Sequence, residues 1–372
     1  MGSEMCIRDS SFSRPGRYVV SLTVRDSSGD ELRSTFTQVV HLPVQSALPK
    51  ASGGMLEHST ESQVWNVNPD NDTVAVVDTQ SLSLLAEIEV GSEPVSVAEA
   101  PDGNVWVVNR QSASISVVNP SSLAVIANYP LRHASQPYGI VMDANGALVA
   151  LQAVGRVQRI GLNGVAGISA DAGANPRHLA LNAAADTLYV SRYITDPLPG
   201  EDTAFVTVDN GVQKFGGEVL VFDAASLTPQ TSIVLAHINR IASEHEGPGV
   251  PNYLGPVVIS PAGDSAWLPS KQDNILAGDL RGGAGMTFDQ TVRAVTSKID
   301  LATNTEITSS RIDHDNASVA GHSAFDPLGI TLFTSLEGNR QVSVIDVHTG
   351  ICLLYTSPSP RDATLSRMPS SA

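Results

Sequence analysis

The sequence is poor in cations and almost lacks cysteine. Of its 372 residues, 38 are acidic and 22 are basic, which gives a net charge of −16, and only four of the basic residues are lysines. Phosphate binding needs clustered lysine and arginine, and no such cluster occurs, so nucleic acid and anionic membrane surfaces are excluded as partners. No apolar run approaches the roughly 18 residues of a transmembrane helix. We therefore expect no membrane insertion.

The two ends of the chain differ from the rest of it. Residues 1–10 and 352–372 show neither strand nor helix periodicity, and both strings resemble translated sequencing-adaptor sequence. We expect two non-native tails and a lost signal peptide; the alternative is a pair of natural disordered tails. Both cysteines, Cys6 and Cys352, lie in these tails. The body of the chain then has no disulfide, thiolate metal ligand or cysteine nucleophile.

Residues 11–44 have the pattern of a β-hairpin. Apolar and polar residues alternate over residues 18–24, residues 26–30 have turn composition, and residues 35–44 form the returning strand. The string Phe12-x-x-Pro-Gly-x-Tyr-x-Val-x-Leu-x-Val-x-Asp-x-x-Gly29 resembles the last third of a PKD domain, an immunoglobulin-like module. The resemblance implies an extracellular, periplasmic or cell-surface protein. Residues 45–61, rich in serine, glycine and alanine, are expected to be a linker.

Residues 62–351 repeat with a period near 41 residues. Trp65 and Trp106 are 41 positions apart, and the string Val-Trp-Asn-Val-Asn68 matches Val-Trp-Val-Val-Asn109. A second recurring element ends in an acid or amide, at Asp78, Asn119, Asp223 and Asp346. A third begins with proline, at Pro94, Pro137, Pro176 and Pro256. Four short strands in each unit of this length predict a β-propeller.

The predicted fold class is thus all-β, a propeller of four-stranded antiparallel blades behind a short PKD-like remnant. The proline element is strand A, the tryptophan element strand B, the Val-x-Val-x-Asp element strand C, and residues 86–90 a strand D. About six blades are expected, with no clear strand A in the first and no strand D in the sixth. Because an unclosed ring leaves open sheet edges, we expect a seventh blade in the intact protein.

These repeats resemble the YVTN-type propellers of the quinoprotein amine dehydrogenase β-chain-like superfamily. A PKD domain followed by such a propeller resembles large bacterial envelope proteins that continue into a c-type haem peroxidase-like module. The present chain has no Cys-x-x-Cys-His string and cannot attach haem itself. The resemblance implies docking to a haem module only where one lies downstream.

Four connections are longer than their counterparts: residues 192–217, 237–255, 270–294 and 312–322. They join strand B to C or strand D to the next A, which places them on one face of the ring. Long loops on one face of a rigid scaffold are typical of binding sites; the alternative is neutral insertion, which costs loops little. The candidate binding residues are His237, Glu244, His245, Glu246, Lys271, Asp273, Asn274, Asp313, His314, Asp315, Asn316 and His322.

The chemistry of these candidates leaves several interpretations open. Carboxylate and amide oxygens suit calcium, and imidazoles with carboxylates suit zinc or iron, but no calcium-loop or His-Glu-x-x-His motif occurs. His314 and His322 can equally be hydrogen-bonded loop histidines, and Asp313 and Asp315 turn caps. Acid–base work by Asp315 with His314 needs a mutual geometry that spacing does not give.

The sequence has no nucleophile elbow, P-loop or dinucleotide fingerprint. It therefore favours a non-catalytic propeller, without a cofactor, that binds a protein or small-molecule ligand at the long-loop face of a modular envelope protein. The alternative is part of a periplasmic redox enzyme, which either docks against a haem module or holds a metal or quinone at the channel mouth. A purely structural role in a surface array is the third hypothesis.

Overall fold

The computed structural model describes residues 11–195, 205–209, 212–243, 246–274, 292–314 and 317–356. Six antiparallel sheets stand around a central axis as the blades of a β-propeller; four have four strands, and two have this four-stranded core with additional short strands, which confirms the predicted fold class. The helices of the described residues are single 3₁₀ turns at Pro69–Asn71, Gln152–Val154, Thr308–Ser310 and Glu337–Asn339. None of them has the length or apolar character needed to cross a bilayer.

The strands follow one another in chain order around the ring. Ahead of it lie β1 (Gly16–Arg25), β2 (Glu31–Val40) and β3 (Lys50–Ala51). Blades 1 to 3 consist of β4 (Met55–Glu57), β5 (Gln63–Asn68), β6 (Thr73–Asp78) and β7 (Leu84–Glu89); β8 (Pro94–Glu99), β9 (Val105–Asn109), β10 (Ser114–Asn119) and β11 (Ala124–Pro130); β12 (Pro137–Asp143), β13 (Gly146–Leu151), β14 (Arg156–Ile160) and β15 (Ala166–Asp171).

The later blades carry the long connections. Blade 4 consists of β16 (Pro176–Leu181), β17 (Thr187–Arg192), β20 (Glu218–Asp223) and β21 (Pro229–Val234), with the hairpin β18 (Phe205–Asp209) and β19 (Val212–Phe215) inserted between its strands B and C. Blade 5 consists of β22 (Val250–Asn252), β23 (Val258–Ile259), β24 (Ser265–Asp273), β25 (Val292–Asp300), β26 (Thr305–Glu306) and β27 (Ile312–Asp313). Blade 6 consists of β28 (Ala320–Phe325), β29 (Thr331–Leu336), β30 (Gln341–Asp346) and β31 (Cys352–Thr356).

The repeating elements take the predicted places in each blade. The proline elements begin strand A in β8, β12 and β16, and each of these strands lies innermost in its blade. Trp65, Trp106 and Trp267 lie on strand B with at most 2% of each side chain exposed. Their role in core and inter-blade packing is confirmed. Since fully burying a large apolar side chain contributes about 1.5–3 kcal/mol, each of them stabilises the core of its own blade junction, in three separate clusters.

The first and last blades use segments that the repeat pattern did not identify. Strand A of blade 1 is Met55–Glu57, within the expected linker, and strand D of blade 6 is Cys352–Thr356, within the expected tail. The first is only three residues long and the second is an outer strand, so neither needs the buried alternation that marks an inner strand. Six blades are present as predicted. A seventh blade and the foreign origin of the tails stay predictions.

The N-terminal hairpin is present, with a small shift in its second strand. The strand β2 starts at Glu31 rather than at residue 35 and pairs with β1 over its full length. The hairpin contacts the ring through Arg17, whose guanidinium lies 3.9 Å from the Asp346 carboxylate of blade 6. Its apolar side chains Leu32 and Phe36 are 75% and 55% exposed. The hairpin is therefore a peripheral element that contributes little to the core.

Residues 45–54, here called the axial segment, run along the centre of the ring. The backbone N–H of Gln45 donates to the Pro261 carbonyl of blade 5 over 2.9 Å, and the Lys50 ammonium donates to the Met142 carbonyl of blade 3 over 3.0 Å. The strand β3 pairs with the inner strand β16 of blade 4. Because strand A lines the axis in every blade, a segment that contacts the inner strands of several blades must lie at the centre.

The end of the axial segment contacts blade 4 again and reaches blades 1 and 2. The Ser52 hydroxyl accepts the Leu179 N–H of blade 4 over 2.9 Å, and the Gly53 carbonyl accepts the Val97 N–H of blade 2 over 2.9 Å. The Gly54 carbonyl accepts the Val67 N–H of blade 1 over 2.9 Å. The supposed linker is thus an internal element that contacts blades 1 to 5, mainly through its backbone and, at blade 3, through the Lys50 side chain.

Candidate functional site

The connections between strands B and C and between strand D and the next strand A all emerge on one face, here called the loop face. Four of the predicted binding residues, Glu244, His245, Asp315 and Asn316, lie outside the described residues. The other eight do not form one cluster. They fall into three groups, at the channel mouth, at the junction of blades 5 and 6, and at the junction of blades 4 and 5.

The junction of blades 5 and 6 holds Asp313, His314 and Glu246. The Arg293 guanidinium donates to the Asp313 carboxylate over 2.6 Å, and both side chains are buried. Burial raises the pKa of Asp313, and Arg293 partly opposes that shift. Glu246 lies 3.5 Å from Arg240 in a weak, partly exposed ion pair. These charges are arranged as internal pairs, which is how a protein accommodates buried ions.

His314 is a fully enclosed structural side chain. Its Nε2 lies 2.7 Å from the Thr296 hydroxyl of blade 5, and its Nδ1 lies 3.0 Å from the Ser343 hydroxyl of blade 6. Burial lowers the pKa of His314 to about 3. The ring is therefore neutral and bridges two blades, which fits the hydrogen-bonded alternative and leaves the imidazole no free nitrogen for a metal.

We expect the buried His314 to make the fold sensitive to mild acid. The unfolded chain binds a proton near the ordinary pKa of 6.5, and the folded one only near 3, so the stabilisation present above pH 6.5 is lost as the pH falls toward 3. Between pH 7 and pH 5 the free energy of unfolding, measured with urea, should fall by about 2 kcal/mol less in the His314→Gln variant than in wild type. The exposed His41→Gln variant is the control. Equal losses in wild type and His314→Gln would contradict the assignment.

The junction of blades 4 and 5 is organised by a buried arginine. Arg311 pairs with Glu306 over 2.6 Å and also donates to the Ala236 carbonyl and to the Gln272 side-chain oxygen. His237 lies beside this pair on a groove of about 570 Å³. Burial, helped by Arg311 and opposed by a hydrogen bond to Asn239, lowers the pKa of His237. The neutral imidazole thus lies at the groove wall, away from the central axis.

The channel mouth holds Lys271, Asp273 and His322. Lys271 pairs with Asp273 over 2.9 Å, and burial raises the pKa of Asp273 against the effect of Lys271. Asn274 follows directly at the end of the described strand. His322, on strand A of blade 6, stands edge to face with His178 of blade 4, their ring centroids 5.4 Å apart. Side chains from two blades that are not neighbours therefore meet at the axis.

Around this mouth lies a row of aromatic and cationic side chains, here called the tyrosine–arginine row. The Arg177 guanidinium carbon lies 4.0 Å from the centre of the Tyr138 ring and 3.7 Å from that of Tyr193. The Tyr193 and Tyr253 rings meet edge to face at 5.3 Å, and the Lys271 ammonium lies 4.3 Å from the centre of the Tyr253 ring. Stacking against aromatic faces fixes a guanidinium while leaving its edge available for hydrogen bonds.

Three blades supply the row, from the start of strand A or the end of strand B, which lie side by side in an antiparallel blade. Tyr138 and Arg177 follow the first proline of strand A in blades 3 and 4, and Tyr193 and Lys271 lie at the ends of strands B in blades 4 and 5. Tyr253 adopts a φ of 53°, a strained value for an aromatic residue. Such strain persists only where the surrounding structure enforces it, and it concentrates at functional sites.

Arg177 has the least satisfied charge of the site. One of its terminal nitrogens donates to the Tyr138 hydroxyl over 2.6 Å, and within the described ranges no carboxylate lies in ion-pair distance. Its Nε is buried without a hydrogen-bond partner in that part of the chain. Burial foremost, and then the Arg177 charge, lowers the pKa of His322; burial, His322 and Arg177 together lower that of His178. Arg177 therefore stands above two neutral imidazoles.

No three metal-ligating side chains come together in the described residues. Four of the candidate residues lie outside those residues. Calcium at the loop face therefore stays a prediction.

The fold and this mouth define a six-bladed β-propeller with a polar, aromatic channel entrance. No family model matches the chain, and no curated protein matches it. Among solved structures, hydrazine synthase from Kuenenia stuttgartiensis matches with a TM-score of 0.61 and 18% identity, covering 83% of this chain and 78% of that one. A protein of unknown function from Desulfotomaculum acetoxidans matches with a TM-score of 0.54 and 14% identity over 88% of this chain and 92% of that one.

A third similar structure is virginiamycin B lyase from Staphylococcus aureus. It matches with a TM-score of 0.53 and 13% identity over 91% of this chain and 88% of that one. Identities this low establish the shared fold alone, because propellers carry unrelated activities on one scaffold.

Proposed function

We propose that the chain is a non-catalytic binding propeller that holds its ligand at the loop face, over the axis of the ring. The observation that carries the proposal is the tyrosine–arginine row, in which three blades bring half-buried aromatic and cationic side chains to one mouth. Aromatic rings and arginine are the residues that dominate binding surfaces. Their convergence on the face with the long connections is what a binding site requires.

The position of the axial segment also favours the loop face as the binding side of the ring. It fills the centre with backbone that is hydrogen-bonded to the inner strands, so a ligand reaches the row from the loop face. The PKD-like hairpin and the YVTN-like repeats add the proposed setting, a modular secreted, periplasmic or cell-surface protein. In that setting the hairpin acts as the end of a spacer, and the adaptor-like tails are foreign to the natural chain.

The second candidate is the propeller part of a periplasmic redox enzyme whose catalytic module lies downstream. What favours it is the likeness of this ring to a chain of hydrazine synthase. In this version the loop face docks a haem module rather than a free ligand. A quinone or metal at the channel mouth is the variant that needs no second module.

A ligand screen with product analysis separates these candidates. The purified chain is tested by thermal shift against sodium benzoate, glucose, calcium chloride, a neutral pentapeptide and a reduced c-type cytochrome. We expect at least one small molecule or peptide to raise the melting temperature, since a ligand at 100 times its Kd adds about 2.7 kcal/mol. Hydrogen exchange should slow at residues 138–139 and 177–178, and the ligand should be recovered unchanged by mass spectrometry.

Other outcomes of this screen exclude the proposal. Chemical conversion of the bound molecule indicates an enzyme. Binding of the cytochrome alone favours the docking candidate. Protection confined to the A–B turn at residues 100–104, on the opposite face, contradicts a loop-face site.

A further inference from the structure

We infer that the tyrosine–arginine row binds a carboxylate, which pairs with the edge of the Arg177 guanidinium. The inference rests on the proposed loop-face function and adds the chemical class of the ligand. It treats Arg177 as the anchor of the site, with Tyr138 and Tyr193 as the walls that hold it in place.

The missing partner of Arg177 points to an anion from outside the chain. Four buried or nearly buried arginines of the described residues each have a carboxylate at 2.6–2.8 Å: Arg159 with Asp143, Arg192 with Glu218, Arg293 with Asp313, and Arg311 with Glu306. The half-buried Arg156 has no carboxylate but donates to the Ser169 hydroxyl and carbonyl, whereas Arg177 donates to the Tyr138 hydroxyl alone among the described residues. Acidic side chains are abundant, 38 against 22 basic ones. Arg177 is a half-buried guanidinium with no acid in this part of the chain, so its terminal nitrogens leave a place for an external acceptor. Its enclosed Nε–H has no acceptor within this part of the chain either.

The geometry of the row selects how that acceptor approaches. The Tyr138 and Tyr193 ring centres lie 4.0 and 3.7 Å from the guanidinium carbon, and the guanidinium N–H groups donate only in their own plane, at its edge. Two parallel N–H groups at a guanidinium edge match the two oxygens of a carboxylate. The Tyr138 hydroxyl accepts one Arg177 hydrogen bond over 2.6 Å, which leaves its own proton to donate to the same carboxylate.

The charge balance of the mouth favours one negative charge over two. Lys271 is neutralised by Asp273 at 2.9 Å, and His178 and His322 are held neutral. Arg177 therefore supplies the one positive charge of these groups that has no carboxylate in ion-pair distance, and the Glu337 carboxylate lies close by, against Gly321 next to His322. A single carboxylate pairs with Arg177, whereas a phosphate dianion would bring a second negative charge toward Glu337 in a site lined by tyrosine rings.

Paired probes of equal shape test the inference by isothermal titration calorimetry. Sodium benzoate should bind wild type, and benzamide, which replaces the carboxylate by a neutral amide, should bind about tenfold or more weakly. The Arg177→Gln variant should lose about tenfold or more in benzoate affinity. The Arg132→Gln variant, which removes an exposed arginine from a connection on the same face, should bind as wild type does.

A second variant and a second probe complete the design. The Arg177→Lys variant keeps the charge but loses the two-pronged edge, so its affinity should fall between those of wild type and Arg177→Gln, with circular dichroism reporting the fold. A capped Gly-Gly-Glu-Gly-Gly peptide shows whether the carboxylate comes from a free acid or from a protein side chain: the tighter binder of the two identifies the source.

The outcomes distinguish this inference from the proposed function. Equal binding of benzoate and benzamide, or equal affinities of wild type and Arg177→Gln, overturns the carboxylate assignment. If glucose or the neutral pentapeptide binds at the loop face while every carboxylate probe fails, the ligand class is wrong and the binding function stands. If no probe binds, both fail.

Discussion

Replacing Gly139 by alanine is expected to lower the free energy of unfolding by about 1–3 kcal/mol. A Cβ at this position would lie 2.6 Å from the Arg177 carbonyl oxygen and 2.9 Å from the Ser52 hydroxyl oxygen. The Arg177 carbonyl oxygen is part of the backbone, and the Ser52 hydroxyl oxygen accepts a hydrogen bond from strand A of blade 4. Neither can move without disturbing the axial segment, so the added methyl group strains the centre of the ring. Urea unfolding followed by circular dichroism measures the change.

The matched control for this substitution is Gly167→Ala on the outer strand of blade 3. There the nearest atoms to a new Cβ are 3.5 Å away or more, which is ordinary van der Waals contact. Its unfolding midpoint should stay close to that of wild type. If both variants unfold at the same urea concentration, the axial segment does not pack against Gly139 as described.

Replacing Glu306 by glutamine should destabilise the protein by about 3–5 kcal/mol, because it leaves the buried charge of Arg311 without its carboxylate. The two side chains are only 3% and 1% exposed, and the pair joins strand D of blade 5 to the end of blade 4. The double variant Glu306→Leu with Arg311→Met removes both charges and should recover part of the loss, since two apolar side chains need no ion partner. Urea midpoints of the single and double variants provide the comparison.

The exposed pair Arg25 and Glu31 on the hairpin is the control for this effect. Its carboxylate and guanidinium are in contact but lie in solvent. The Glu31→Gln variant should therefore have the same urea midpoint as wild type, because exposed ion pairs usually contribute little to stability. A Glu306→Gln variant that behaves like Glu31→Gln would show that solvent reaches the junction of blades 4 and 5.

The sequence was sufficient to predict the blades because their strands recur with the same side chains. Trp65, Trp106 and Trp267 occupy one structural position, and the prolines at 94, 137 and 176 occupy another. Because the same pattern occurs several times in one chain, each copy supports the strand assignment of the others. The order of strands within a blade and the grouping of long connections followed from it.

The axial segment could not be predicted in this way. Its residues are small, and they contact the blades mainly through backbone N–H and carbonyl groups, which any residue except proline can supply. Serine, glycine and alanine are also the residues of flexible linkers. Composition therefore gives the same indication for a free connection and for a strand at a crowded axis.

The tyrosine–arginine row was missed because its residues lie at a position of the repeat where the residue type differs from blade to blade. The position after the strand A proline is Val95, Tyr138, Arg177 and Val257 in successive blades. Aligning the blades and inspecting this one variable column would have revealed both Tyr138 and Arg177. The histidine candidates were sought in the loops instead, where His314 serves as a bridge between two blades.

The central position of residues 45–54 has a consequence for how the protein is made. These residues leave the ribosome before the blades do, and the carbonyl that accepts the Gln45 N–H, on Pro261, is synthesised more than two hundred residues later. Contacts between such distant parts of a chain form slowly. During synthesis the axial segment is therefore present before the blades that it contacts, and its groups that face blades 4 and 5 stay without partners until those blades are made. Completion of the ring is then a late step in which this segment pairs with blades made well after it.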